Sequence, residues 1–165
     1  MAAAFDIRPA EVDEMEAVRA LFREYQAWLD VDLCFQGFEQ ELAALPGDYC
    51  APRGGLWLAR HGGQLAGVVA LRPMDRRCAE LKRLWVRPGH RGSGLGRRLT
   101  QRAIRFAREN GYGALRLDTL PQMKSAQALY RSLGFRVIAP YYENPVAGVV
   151  YMELLLAGKN GSQAT

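Results

Sequence analysis

The sequence predicts an α/β domain, with a mixed-direction sheet flanked by helices in the order β-α-α-β-β-β-α-β-α-β-β. Three observations carry this. Some segments repeat apolar residues at helical spacing, while others alternate or run apolar for five to seven residues. Glycine and proline pairs punctuate the boundaries between them. The 165 residues, 49% hydrophobic and 24% charged, suit one globular domain with a core of its own.

Phe5 to Arg8 reads as a short strand ended by Pro9. From Glu11 to Leu29, apolar residues at Val12, Met15, Val18, Leu21, Phe22, Tyr25 and Leu29 mark an amphipathic helix with acids in its first turns. A second helix covers about Phe38 to Leu45 and stops at Pro46-Gly47. Leu56 to Arg60 and Leu65 to Leu71 form a hairpin through Gly62-Gly63, and Ala79 to Arg87 is the next strand, closed by Pro88-Gly89. Leu95, Leu99, Ala103 and Phe106 line one face of a helix from Leu95 to Asn110, with Gly111 at its C-terminal cap. Ala114 to Thr119 alternates as a strand. Met123 to Leu133 is a helix with Ala126, Leu129, Tyr130 and Leu133 on one side and Gly134 at its end. Arg136 to Ala139 and Val149 to Leu156 close the sheet. The domain is expected over residues 1–157, with a polar, fraying tail at 158–165.

Several classes are excluded or disfavoured. Apolar runs are far shorter than the ~20 residues of a membrane span. Met1-Ala-Ala-Ala-Phe-Asp has no signal-peptide pattern, so a cytoplasmic location is expected. Cys34, Cys50 and Cys78 show no paired spacing, and the two histidines, His61 and His90, show no zinc spacing, so no metal is expected. No Gly-x-Ser-x-Gly elbow supports a serine hydrolase.

The net charge of +5 hides an asymmetry: residues 1–50 carry −8 and the remainder +13. The excess concentrates between Arg72 and Arg108, where twelve basic residues meet only Asp75 and Glu80. Such a segment calls for an anionic partner, either a polyphosphate ligand, nucleic acid or a membrane surface, or it forms a solvated arginine face.

The chemistry concentrates in one stretch, where a strand runs through Arg91-Gly-Ser-Gly94-Leu-Gly96 directly into a helix. Glycines 92, 94 and 96 let backbone N–H groups converge, and the helix N-terminus adds free donors and the positive end of its dipole. This is a phosphate cradle. It is neither a Walker A loop nor a Gly-x-Gly-x-x-Gly dinucleotide fingerprint.

Arg91 to Gly96 resembles the Arg/Gln-x-x-Gly-x-Gly/Ala signature of the GNAT superfamily of acetyl-CoA-dependent N-acetyltransferases. Ser125-Ala-Gln-Ala-Leu-Tyr130-Arg-Ser-Leu-Gly-Phe135 is similar to that family's second helix motif, and Gly96 and Tyr130 stand at the family's spacing. The element order matches from about Phe5 to Leu156. The resemblance implies a mostly antiparallel sheet and acetyl-CoA as donor, without a metal. It implies that the backbone of Leu84, Trp85 and Val86 holds the pantetheine arm. The amides of Arg91, Gly92, Ser93, Gly94, Leu95 and Gly96 would hold the pyrophosphate, with Arg97 or a neighbour on the remaining phosphates. Tyr130 would protonate the leaving thiolate. Glu80, eleven residues before Arg91, is the candidate base, with ordered water as the alternative. Met123 stands where many relatives have asparagine, so Ser125 substitutes for it or that contact is absent. His90 is expected to be an exposed loop histidine.

The resemblance places the acceptor amine among the first two helices, the Glu80 strand and the late hairpin loop. Those segments hold Trp28, Asp30, Asp32, Phe35, Glu39, Glu41 and the loop 141–148. Acids with aromatics suit a cationic amine. The acceptor's size, the acyl chain length and the oligomeric state stay open. Two other readings remain: a CoA-binding sensor without turnover, and an arginine-rich nucleic-acid module, against which no helix-turn-helix or finger spacing is found.

Overall fold

A computed structural model describes residues 4–30 and 37–156. The strands are β1 (Phe5–Pro9), β2 (Gly55–His61), β3 (Gln64–Pro73), β4 (Cys78–Val86), β5 (Ala114–Thr119), β6 (Arg136–Ile138) and β7 (Val150–Leu155). The helices are α1 (Met15–Leu29), α2 (Phe38–Ala44), α3 (Leu95–Glu109) and α4 (Lys124–Ser132). Single turns of 3-10 helix precede α1 and the cradle. The predicted order of elements therefore holds. The one shift of substance is at the first helix, whose leading residues Val12–Glu14 wind as a separate 3-10 turn.

The seven strands form one sheet in the order β1-β2-β3-β4-β5-β7-β6. Every neighbouring pair is antiparallel except β4 and β5. Both faces are covered. On one side α3 and α4 place Leu95, Leu99, Ala103, Ile104 and Tyr130 on Trp57, Leu71, Leu81, Leu115 and Leu117. On the other, α1 and α2 place Val18, Leu21, Phe22, Phe38 and Leu42 on Leu56, Leu58, Val68, Ala70 and Trp85. The middle of β3 is buried from Ala66 to Leu71, which explains its unbroken apolar run.

Two irregularities position the site. The first is that β4 and β5 pair only from Cys78 to Glu80, opposite Ala114 to Arg116, and then part. The second is a bulge in β4. Trp85 pairs Val68 and Lys82 pairs Ala70, so Arg83 and Leu84 together oppose one residue of β3. Arg83 takes a left-handed conformation at φ 60. Strict alternation would put Glu80, Lys82, Leu84 and Val86 on one face. The bulge breaks that pattern: Leu84 and Val86 pack with the α3 cluster, while Arg83 turns toward α2.

The charge asymmetry is answered largely within the chain. The acid-rich first segment packs onto the basic strands through Glu14–Arg60, Glu24–Arg87 and Glu41–Arg83. Glu39 pairs with Arg23. Glu39 and Glu41 are thus engaged by arginines rather than free to attract a cationic amine. Asp32, Phe35 and Cys34, and the expected tail, lie outside the described residues.

Candidate active site

Beyond Glu80 the parting of β4 and β5 opens two adjoining cavities. The larger, about 600 Å³, runs along Leu84, Trp85 and Val86, past Arg91 to the start of α3, and is closed opposite by α4. The smaller is about 50 Å³ and lies between the strands under Tyr25 and Leu29 of α1. Leu84 and Met123 belong to both walls.

The larger cavity ends in the cradle. Gly92 and Gly94 sit at φ 75 and φ 84, a region that costs other residues about 1–2 kcal/mol. A Cβ at either would meet no atom within 4 Å, so backbone conformation rather than crowding calls for glycine there. No side chain caps α3, which leaves the N–H groups of its first turn pointing at the cavity mouth. The Arg91 guanidinium lies 4.9 Å from the centroids of both Trp28 and Trp85, and its Nε donates to the Val86 carbonyl at 3.3 Å. Arg97 donates to Ser132 Oγ at 2.7 Å. Leu84, Trp85, Val86, Arg91, Gly92, Gly94, Leu95, Gly96, Arg97 and Ser125 all line this cavity. Ser93 does not: its hydroxyl turns back to donate to the His90 carbonyl.

Sequence reasoning missed three parts of this wall. Trp28 of α1, which the resemblance placed with the acceptor amine, lines this cavity. Gln122 and Lys124 arrive from the turn into α4. His90, expected to be an exposed loop residue, is half-buried, lines the cavity, and packs its ring on Phe5 and His61.

The smaller cavity holds the reactive groups. Tyr130 of α4 is 6% exposed and packs its ring on Phe135. Its ring lines the cavity. Burial pushes this phenol well above the usual tyrosine value, and the Tyr25 and Asp118 neighbours add to the rise. Asp118 of β5 lines the same wall. It accepts from the Tyr142 hydroxyl at 2.7 Å and lies 3.8 Å from Lys82 Nζ. Asn144 Nδ2 in turn donates to the Tyr142 oxygen at 3.0 Å.

Glu80 stands on neither cavity wall. It is 2% exposed. Its carboxylate accepts from Arg72 Nε at 2.9 Å and from the Tyr141 hydroxyl at 2.7 Å. Burial alone would raise its pKa, but Lys82, Arg72 and Tyr141 outweigh that and hold it below the usual carboxylate range. Adjacent tyrosines on the β6–β7 loop therefore latch onto carboxylates of two different strands. Sequence reasoning missed Asp118, although its place on an alternating strand twelve residues before Tyr130 was readable.

Met123 precedes α4, and its sulfur accepts from Thr119 Oγ1 at 3.7 Å. The neighbouring Gln127, 3% exposed, donates from Nε2 to the Leu120 carbonyl at 2.9 Å. That bond ties the turn before α4 to the helix, so an amide still orders this segment from a position one turn further on.

An open cradle for phosphates, leading to a small cavity lined by the phenols of Tyr25 and Tyr130 and the carboxylate of Asp118, is the layout of an enzyme that moves an acyl group from a nucleotide-bearing donor. The comparisons agree. A model of the acetyltransferase (GNAT) family matches residues 15–135. An uncharacterized N-acetyltransferase of Schizosaccharomyces pombe is 40% identical over 149 residues, 88% of this chain and 89% of that one. An acetyltransferase structure from Streptococcus agalactiae superposes with a TM-score of 0.76 at 25% identity, covering 92% of this chain and 98% of the other. A Salmonella typhimurium protein solved with acetyl-CoA shares the fold, with a TM-score of 0.70 at 23% identity over 99% of this chain and 100% of its own. The chain belongs to the GNAT acetyltransferase family and is an acyltransferase.

Proposed function

We propose that this enzyme transfers the acetyl group to a primary amine by direct attack in a ternary complex, with Tyr130 as acid and Asp118 as base. One observation carries the reading. Tyr130 and Asp118 share a small cavity that joins the cradle cavity at Leu84 and Met123. A thioester whose phosphates sit in the cradle would reach them along β4.

The cradle suits the donor's diphosphate because its glycines leave open space while free N–H groups face it. In this reading the amides of residues 91–96 hold the pyrophosphate. The unpaired edge of Leu84 to Val86 holds the pantetheine arm, and Arg91 and Arg97 meet the remaining phosphates. Asp118 takes the proton from the attacking amine. Tyr130 gives its proton to the departing sulfur, and its burial keeps it protonated until that moment. Glu80, enclosed by Arg72 and Tyr141, holds Tyr141 and the β6–β7 loop over the cavity rather than taking the proton. The amine enters from the side of α1, α2 and that loop.

A thermal-shift titration with acetyl-CoA, with ADP as control, followed by an amine panel read by CoA release, tests this. Acetyl-CoA at 100 times its Kd should stabilise the protein by about 2.7 kcal/mol. Asp118→Asn should lower kcat by roughly 10²–10⁴-fold with donor affinity retained. An Asp118→Asn variant as active as wild type, beside an inactive Glu80→Gln, would return the base role to Glu80.

A further inference from the structure

Nineteen of the 22 basic residues are arginine; the three lysines are Lys82, Lys124 and Lys159. Arginine stays charged in proteins and cannot act as a nucleophilic amine, whereas a lysine can. Of the two described lysines, Lys124 is exposed and Lys82 is buried, its side chain 6% exposed. It lines the same small cavity as Tyr130 and Asp118, with Nζ 3.8 Å from Asp118 Oδ1.

We propose that Lys82 is itself an acetyl acceptor: when no amine is bound, it takes one acetyl group from acetyl-CoA, and the modified side chain closes the acceptor cavity. This rests on the reading above, in which the thioester reaches Tyr130. Among the described residues the charged groups facing Lys82 come from β3, β4 and β5: Glu80 and Asp118 favour its ammonium form, while Arg72 and Arg83 oppose it. Burial is the largest influence and carries the ammonium below the usual lysine value, so the neutral amine is more accessible than on the surface.

The step balances without a further reactant. The Nζ lone pair forms a C–N bond at the acetyl carbonyl carbon, and the C–S bond breaks. The sulfur keeps the bonding electrons and takes the Tyr130 proton. Asp118 accepts the proton shed by Nζ and passes it to solvent, and Tyr130 regains one from solvent. Starting from the neutral amine, the products are N-acetyl-lysine and CoA with no net proton released, because the proton Asp118 passes to solvent equals the one Tyr130 regains. The consequences follow from the geometry. A cavity of about 50 Å³ holds only a few water-sized groups, so an acetyl group on Nζ occupies the space an incoming amine needs. The modification also removes the cation that Glu80 and Asp118 share.

The test is to incubate the protein with acetyl-CoA alone and follow intact mass, peptide mapping and amine turnover over time. The expected result is one acetyl group per chain, mapped to Lys82, with amine turnover falling in step. Excess amine acceptor protects against both. In Tyr130→Phe the acetylation slows by about 10²-fold or more. Lys82→Arg takes no acetyl at this position and shows no time-dependent loss. Mapping on wild type does not depend on that variant folding. Acetylation confined to Lys124, Lys159 or the N-terminus overturns the proposal. So does an equal rate in Tyr130→Phe, or full amine turnover with Lys82 acetylated. Turnover of amines with Lys82 unmodified sinks this proposal and leaves the transferase reading standing. Lys82 acetylation with no amine accepted sinks the acceptor reading and leaves this one. Failure of acetyl-CoA to bind sinks both.

Discussion

The pair formed by Arg83 and Glu41 should be one of the most sensitive points in the fold. Arg83 sits on the β4 bulge with its side chain 3% exposed, and Glu41 on α2 is 13% exposed. The contact is a two-pronged fork: Nε to Oε2 at 2.9 Å and a terminal nitrogen to Oε1 at 3.0 Å. The guanidinium also lies over the Phe38 ring at 5.2 Å. Glu41→Gln would leave the arginine charge buried without compensation. Breaking a buried pair from one side costs about 3–5 kcal/mol. Glu41 keeps some access to water, so the lower end applies, about 3 kcal/mol. For a chain of this length about 2–4 °C is lost per kcal/mol, so the midpoint should fall by roughly 6–12 °C. Replacing both partners with apolar residues, Arg83→Met with Glu41→Leu, should recover most of that, because no charge is then left buried. Arg83→Gly and Arg83→Ala separate the bulge from the pair. Both lose the guanidinium, but glycine avoids the left-handed penalty and should melt above alanine by about 1 kcal/mol. Thermal denaturation of the four variants is the assay. A Glu41→Gln midpoint within a degree of wild type, or a double variant no better than the single, would refute the reasoning.

Tyr130→Phe should lower kcat by roughly 10²–10⁴-fold while the acetyl-CoA Kd stays within a few-fold, as steady-state kinetics and a binding titration would show. Gly94→Val forces a β-branched residue to φ 84, at a cost of about 1–2 kcal/mol, so donor affinity should fall about tenfold by calorimetry. Glu80 has a folded-state pKa below its ordinary value of 4.5, so its stabilising contribution is present above that pH and is lost as pH falls through the depressed value. Acid unfolding of wild type should therefore be steeper than that of Glu80→Gln, which lacks the group that must be protonated. A steeper acid limb in the variant would contradict the assignment.

Much of the molecule was legible before any coordinates. Periodicity located the four α-helices of the described residues, because each buries one stripe: Leu95, Leu99 and Ala103 repeat along α3 as a face that must meet the sheet. Gly92, Gly94 and the following helix announced an anion site because free N–H groups and left-handed turns are local properties, set by residues next to one another. The resemblance to the GNAT family rested on those same residues and on the motif around Tyr130. Three-dimensional packing decided the rest. Alternation alone could not place the bulge at Arg83, which resets the faces of β4, although the family resemblance implied a bulge in this strand; its position depends on what the neighbouring strand and α2 supply. Glu80 read well as a base by offset alone, but only the fold brings Arg72 and Tyr141, 61 positions away from Glu80 in the latter case, onto its carboxylate. Asp118, Lys82 and Tyr130 come from three elements and meet only because β4 and β5 part after Glu80. Local chemistry is written along the chain, whereas the distance between charges far apart in sequence is set by which strands pair and where they separate.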